Sequence, residues 1–426
     1  DRSTRPRFAR AGVTAHPSAR SDALVVGGGP AGISTALVLA RLGHRVVVIE
    51  REPAPTRGHT ATLLTPRALR ALDQLDVDPP EGNRVPSVRL ATAETSSTVD
   101  WPDHPDLPRH GLVTSGLPGA LTTAAIDAGV TVLAGHRATA PIIERGFVRG
   151  AGVTAPDGTE FEARAEYTVI ADGANSQFGR ALGTFREPTW PYGLAHSGSF
   201  PSDVHASAAV ELVLDLRDRS GTPIAGHGWM YPAGNGTITV GVVMMSTAAS
   251  FHVVNPANLF QRFVDRHRDA WAITGGPTER PTGSRLPVGL SVGPAAGPTY
   301  LLVGDAVGAA NPLSRTGTEG ALETGRGAAE ILDEAIRTGD AAHLQRYPKL
   351  LVDRFGTYYK LGRLSTRLLG RPAVARRIER TMTRRRSFAD AYLRVTSDAL
   401  RPGPRVGAPE AAYRIARAIS TFAPDA

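Results

Sequence analysis

The clearest periodic signal lies near the start of the chain. Ala23–Val26 is a short apolar run, followed by Gly27-Gly28-Gly29-Pro30-Ala31-Gly32 and the helical spacing of Ile33–Leu42. Gly43-His44 interrupts that helix, and the β-branched run Arg45–Ile49 ends at Glu50. The pattern predicts strand, tight turn, helix, strand, acid. Further strands are predicted at Val130–Leu133, Ile142–Val153, Phe161–Arg164 and Tyr167–Ile170, with a turn at Ala155-Pro156-Asp157-Gly158. Gly193–Phe200, Ala208–Leu214, Gly226–Tyr231 and Thr237–Val243 alternate like antiparallel strands, and Asn235-Gly236 marks a hairpin. Tyr300–Val303 reads as one more buried strand. Helical spacing recurs at Leu117–Ala128, Pro256–Arg268, Glu319–Arg337 and Ala341–Leu369. An α/β unit is thus interrupted by an antiparallel sheet and followed by a helical C-terminal third.

The first turn carries chemistry. Gly27 permits the tight turn, Gly29 lets main chain approach a diphosphate, and Gly32 lets the helix pack on the sheet. The helix that includes Ala31 presents unpaired N–H groups to phosphate oxygens. Glu50, 18 residues beyond Gly32, stands where an acid accepts hydrogen bonds from a ribose, with Arg51 beside it. Two later motifs extend a dinucleotide site to FAD. Tyr167–Ile170 runs into Ala171-Asp172-Gly173, and Tyr300–Val303 runs into Gly304-Asp305-Ala306, Asn311-Pro312-Leu313 and Gly317-Thr318-Glu319-Gly320. A Gly-Asp after a strand can set its carboxylate on a ribityl hydroxyl, and the next helix can aim N–H groups at the flavin pyrimidine edge. Taken alone, Asp305 also reads as a helix cap and Asp172-Gly173 as a turn.

In this order and at these separations, the three motifs resemble the FAD-dependent oxidoreductases of the aromatic-hydroxylase-like superfamily. The run Gly304-Asp305-Ala306…Asn311-Pro312-Leu313…Gly320-Ala321-Leu322-Glu323-Thr324-Gly325 resembles the geranylgeranyl reductase branch. Gly226-His227-Gly228-Trp229-Met230-Tyr231-Pro232 is similar to that branch's Tyr-x-Trp-x-Phe-Pro segment, and Leu64-Thr65-Pro66-Arg67-Ala68 and Val99-Asp100-Trp101-Pro102 also fit. The resemblance covers residues 22–360. It implies a Rossmann-like FAD-binding domain with an inserted antiparallel-sheet substrate domain and a helical C-terminal region. The expected division is a disordered tail over 1–21, the FAD domain over 22–185 and 291–340, the substrate sheet over 186–290 and helices over 341–426. The implied activity is reduction of C=C bonds in prenyl chains. The implied cofactor contacts are Gly27, Gly29, Ala31, Gly32, Glu50, Arg51, Arg67, Asp172, Gly304, Asp305, Gly317 and Thr318. Trp229, Met230, Tyr231 and Pro312 are the expected substrate contacts.

The sequence departs from the branch at four positions. Thr60 replaces a cysteine near the flavin, Gly116 replaces an arginine, His227 replaces the first tyrosine of the tunnel segment, and Tyr231 its phenylalanine. His59, Thr60, His227 and Tyr231 are therefore the candidate catalytic groups, with His59, His227 and Tyr231 the proton donors a C=C reduction needs. The polar substitutions keep open a flavin-dependent monooxygenase acting on a hydrophobic metabolite. A non-redox cyclase on a flavin scaffold is a third reading.

Composition narrows the rest. None of the 426 residues is a cysteine, which excludes disulfides, thiolate metal sites and a cysteine nucleophile. No metal site is expected. The net charge is +8, and Arg363, Arg367, Arg371, Arg376, Arg377, Arg380, Arg384, Arg385 and Arg386 crowd the C-terminal helices. These helices read as a solvated face or as a surface for an anionic membrane. Nucleic-acid binding is not expected, because no binding fold accompanies the charge. No second Gly-rich fingerprint is present, so reduction is expected from transient NAD(P)H or an electron-donor protein. The expected setting is cytoplasmic with possible membrane contact, and the substrate is a hydrophobic small molecule.

Overall fold

The computed structural model describes residues 21–53, 60–397, 399–400, 414–415 and 417–418. The expected tail over 1–20 and His59 lie outside the described residues. Ser21, assigned above to the tail, is instead buried in the first strand, where it pairs with Ala165.

A parallel sheet organises the molecule. Ser21–Val26 lies at its centre, with Val46–Glu50 on one side and Glu160–Ile170 on the other. Thr131–Ala134 continues the sheet beyond Val46–Glu50, and Tyr300–Leu302 joins beside Thr168–Ile170. The chain leaves this sheet after Ile170 and returns to it at Tyr300. The carboxyl ends at Val26, Glu50, Ile170 and Leu302 all open on one edge, where open α/β sheets bind ligands. The two strands expected over 161–170 are one, Glu160–Ile170. Its first half pairs antiparallel with Phe147–Thr154 and its second half parallel with Ser21–Val26. Charged residues at 162, 164 and 166 mark its exposed face rather than a break.

The second sheet runs Thr282–Pro287, Tyr192–Pro201, Thr237–Met245, Gly226–Pro232, Ala209–Val213, Ser87–Ala91, Ser96–Asp100. Its last two strands come from well upstream of residue 186. Helix Pro256–His267 covers one face with Leu259, Phe260, Phe263 and Val264 buried. Gly228 is required there, because a Cβ would overlap the Phe263 ring.

The C-terminal helices bind the two sheets together. Helix Tyr347–Leu369 buries Tyr347, Phe355 and Tyr359. The Tyr347 hydroxyl donates to the Thr324 carbonyl at 3.2 Å. The single helix expected over 341–369 is a 3₁₀ segment, Ala341–Arg346, followed by the α-helix. Asp340 caps the former through Ala342 N–H, and Pro348 starts the latter. Helices Pro372–Arg384 and Arg386–Thr396 fold back on the strand Ser96–Asp100. Among the described residues, no helix is long and apolar enough to cross a membrane.

One buried charge cluster ties three helices. The Glu323 carboxylate accepts Arg67 Nε at 2.6 Å, Arg67 Nη2 at 2.8 Å and Arg354 Nε at 3.0 Å. Burial pushes this carboxyl up, but Arg67 and Arg354 more than offset it and hold it below its ordinary 4.5. A lowered folded-state pKa contributes stability above 4.5 that is lost as pH falls. Glu323→Gln should lower the unfolding free energy at pH 7 by about 3–5 kcal/mol. It should also flatten the acid limb of the stability curve, both read by denaturant titration. An unchanged unfolding free energy at pH 7 contradicts this role.

Candidate functional site

A cleft of about 610 Å³ opens at the carboxyl edge of the parallel sheet, lined by Gly27, Gly29, Glu50, Arg51 and Asp172 among others. Gly27 has φ +109°, and a Cβ there would overlap the Ala171 carbonyl. Gly29 faces open space. A Cβ on Gly32 would collide with the Gly27 carbonyl, so the turn and helix close on each other only through glycine. Gly29 caps helix Pro30–Arg41 without a side chain, leaving its first N–H groups to a ligand. Glu50 accepts the Gly28 N–H at 2.5 Å and the Glu52 N–H at 2.8 Å, which fixes its carboxylate at the cleft. Arg51 is exposed and pairs with Glu52 at 3.4 Å. Asp172 accepts the Phe178 N–H at 3.0 Å through one oxygen, while the other is buried with no donor. That orphaned acceptor and the open approach at Gly29 fit a ligand with hydroxyls and a diphosphate.

The second helix mouth lies across a close packing contact. Strand Tyr300–Leu302 ends in the turn Gly304–Ala306, and helix Thr318–Thr338 begins after a short loop. Gly304 has φ +61° and lies so near Ala31 that a Cβ would come within 2.7 Å of it. Its N–H donates to Thr324 Oγ1 at 2.9 Å. Asp305 stands beside Gly317, 3.5 Å from where a Cβ of that residue would lie. Burial alone pushes its carboxyl from 3.8 up to about 6. Glu319 is buried too, and desolvation raises its carboxyl. One Glu319 oxygen accepts the Thr316 hydroxyl and the other has no partner. Gly317 caps helix Thr318–Thr338 without a side chain. Under-donated acceptors and free helix N–H groups together fit the polyhydroxyl chain and ring edge of a flavin.

The face of the second sheet opposite helix Pro256–His267 supplies the third part. His227, Trp229 and Tyr231 alternate onto it, with Trp229 stacked on Tyr231 at 6.0 Å between ring centroids. His227 Nδ1 accepts Arg315 Nη1 at 2.7 Å. A guanidinium only donates, so the imidazole proton sits on Nε2. Burial, reinforced by Arg315, holds His227 well below 6.5, so it is neutral at physiological pH. Burial raises the Tyr231 phenol above its ordinary range, with Glu319 and Tyr392 adding to the effect. His227, Tyr231, Thr65, Thr316, Tyr392 and Leu393 are among the residues enclosing a small cavity of about 40 Å³. Helix Arg386–Thr396 closes it with Tyr392, Leu393 and Thr396.

Several expected contacts lie elsewhere. Met230 points to the opposite face and is buried in the core beneath helix Pro256–His267. Pro312 is wedged between Gly289 and Gly362, and its carbonyl accepts the Thr366 hydroxyl at 2.9 Å. Arg67 is engaged by Glu323 through two hydrogen bonds and serves that cluster. Thr60 stands next to Ala61, which is buried with Trp101 and Leu393 near the cavity. Arg315 was not anticipated. It has φ +63°, and its Nε and Nη2 are buried without partners. An arginine immediately ahead of Thr316-Gly317 was the available signal.

Comparison with known proteins agrees with this geometry. A family model described as FAD binding domain matches residues 20–350. A menaquinone reductase from Mycobacterium tuberculosis is 34% identical over 361 residues, covering 83% of this chain and 85% of its own. A digeranylgeranylglycerophospholipid reductase from Methanoculleus marisnigri is 29% identical, covering 75% and 78%. A geranylgeranyl bacteriochlorophyll reductase-like protein from Thermoplasma acidophilum superposes with a TM-score of 0.72 at 22% identity, covering 87% of this chain and 95% of that one. A cradle built from two glycine-lined helix mouths, a family match over most of the chain and reductase relatives agree on one conclusion: the chain belongs to the FAD-binding-domain family, in its geranylgeranyl reductase branch of FAD-dependent oxidoreductases.

Proposed function

We propose that this FAD-dependent oxidoreductase reduces a C=C bond in the isoprenoid chain of a hydrophobic substrate. The observation that carries the reading is the cavity between the second sheet and helix Arg386–Thr396. Its walls include Leu63, Val88, Trp101, Val210 and Leu212, and its polar interruptions include His227, Tyr231 and Tyr392. The two curated relatives named above are reductases of menaquinone and of a digeranylgeranyl lipid, both isoprenoid molecules.

Main chain at Gly27, Gly29, Ala31 and Gly32 would hold the diphosphate and Glu50 a ribose. Asp305 would take the ribityl hydroxyls, and Gly317-Thr318 the pyrimidine edge. Bound FAD would supply the electron pair for the reduction. The chain supplies orientation, dryness and a proton. The packed ring stack of Trp229 and Tyr231 and the helix Arg386–Thr396 exclude water. The raised Tyr231 phenol stays protonated across the working pH range and is the proton donor to the second carbon of the alkene. Neutral His227, fixed by Arg315, orients a polar group or a water through Nε2–H and is not a cationic acid.

A polyprenyl quinone incubated anaerobically with the dithionite-reduced enzyme, and then reoxidised in air to restore its quinone ring, should retain one added hydrogen pair per turnover in its prenyl chain by mass spectrometry. Tyr231→Phe should slow this by about 10²–10⁴-fold with flavin content intact. A product formed only in air and carrying an added oxygen atom contradicts the reductase reading and selects the monooxygenase.

Asp305 has an opposing effect on stability and binding. A carboxyl raised from 3.8 to about 6 binds its proton more tightly in the folded state. That contribution is complete below 3.8 and is lost as pH rises through about 6. Asp305→Asn should therefore stabilise the flavin-free protein at pH 8 by up to about 3 kcal/mol, with little effect near pH 4. FAD affinity should fall by about 10–100-fold. Paired thermal melts and flavin titrations read both, and an Asn variant less stable at pH 8 contradicts the assignment.

A further inference from the structure

We infer that the outer face of helix Pro372–Arg384 is a docking surface for an anionic phospholipid membrane. Arg376, Arg377, Arg380, Arg384 and Arg385 line a shallow groove of about 370 Å³ with Ala373 and Thr381. All five arginines are exposed, and the groove contains no carboxylate. None of the five side chains has an ion-pair or hydrogen-bond partner among the described residues. The helix's one buried acid, Glu379, faces inward and pairs with Arg217 at 3.3 Å. Ala375, Met382 and Thr383 are buried with it, so the helix has a packed inner face and a purely cationic outer one.

Neighbouring helices are built differently. Helix Tyr347–Leu369 pairs Lys349 with Asp353, and helix Arg386–Thr396 pairs Arg394 with Asp390, each at i,i+4 spacing. On the groove helix, the same spacing joins Arg376 to Arg380 and Arg380 to Arg384. Like charges there oppose helix formation by a few tenths of a kcal/mol per pair. Apart from the pull of Arg376 on the buried Glu379 carboxylate, the fold leaves this charge uncompensated, whereas lipid phosphates complement it. An apolar anchor adjoins it: Phe388, in the next helix, is 52% exposed.

The location also favours a membrane. The groove helix packs against helix Arg386–Thr396, whose inner side closes the cavity with Tyr392 and Leu393. Docking would set the cavity's closing helix at the headgroup layer, where a lipid substrate resides. This last point rests on the proposed reaction, and the docking itself does not.

Co-sedimentation of the full chain with vesicles lacking isoprenoids therefore tests the surface independently of turnover. The protein should bind vesicles of equimolar phosphatidylcholine and phosphatidylglycerol, release them at high salt, and ignore pure phosphatidylcholine. Replacing Arg376, Arg380 and Arg384 by Gln should weaken binding on the order of 100-fold. Replacing the exposed Arg145, Arg266 and Arg280 by Gln should leave it within about 3-fold of wild type, since none of them lines the groove. The single Arg380→Glu variant, with a wild-type melting temperature, should weaken it about 10-fold and serves if the triple variant misfolds. Equal binding to both vesicle types, equal losses in the two triple variants, or binding to duplex DNA with none to vesicles overturns the inference.

Discussion

The close contact between helices Pro30–Arg41 and Thr318–Thr338 is the constraint on which the site depends. Ala31 meets Gly304 and Gly325 at distances that no side chain beyond hydrogen allows on the glycines. Ser34 donates to the Leu322 carbonyl at 2.8 Å across the same interface. Small residues bring two helix mouths, far apart in sequence, to one edge of one parallel sheet. Each mouth brings unpaired N–H groups and a positive dipole end. A ligand long enough to span them, with phosphate at one end and a polar ring at the other, meets both at once.

Buried charge divides the molecule into a framework and a working part. Glu323 has its lone pairs filled by two arginines, and its role is to fasten helices together. Asp305, Glu319, Asp172 and Arg315 are incompletely satisfied or destabilised by burial, and all four lie around the cleft and cavity. An unsatisfied buried polar group costs about 1–3 kcal/mol. A fold retains several together where a ligand completes them. The distinction explains why Arg67 belongs to the framework although its motif placed it near the cofactor.

Much of this was legible in the sequence. The Gly27–Gly32 turn, Glu50 and Gly304-Asp305 are recognisable because each demands backbone chemistry that few residue types provide. The split of the parallel sheet followed from strands at 167–170 and 300–303. Less legible were features set by long-range pairing. Ser87–Ala91 and Ser96–Asp100 join the second sheet from far upstream, and no local pattern specifies that partner. Met230 shows the limit of motif transfer: its neighbour Tyr231 lines the cavity with Trp229 stacked on it from the same face, and the two-residue period of a strand sends Met230 the other way. Pro312 lies in the expected loop, yet two glycines opposite it make a packing socket. Arg315 escaped notice because a single arginine in a polar loop ordinarily reaches solvent. Only the tertiary fold shows it buried against His227.

The central claim is that these two helix mouths form one FAD site. Titrating the folded, flavin-free chain with FAD, followed by flavin fluorescence, tests it directly. The account requires saturation at one FAD per chain, with loss of binding when Gly304→Val separates the helices while Gly129→Val, on a remote turn, does not disturb it. A folded chain that leaves added FAD free in solution contradicts the account.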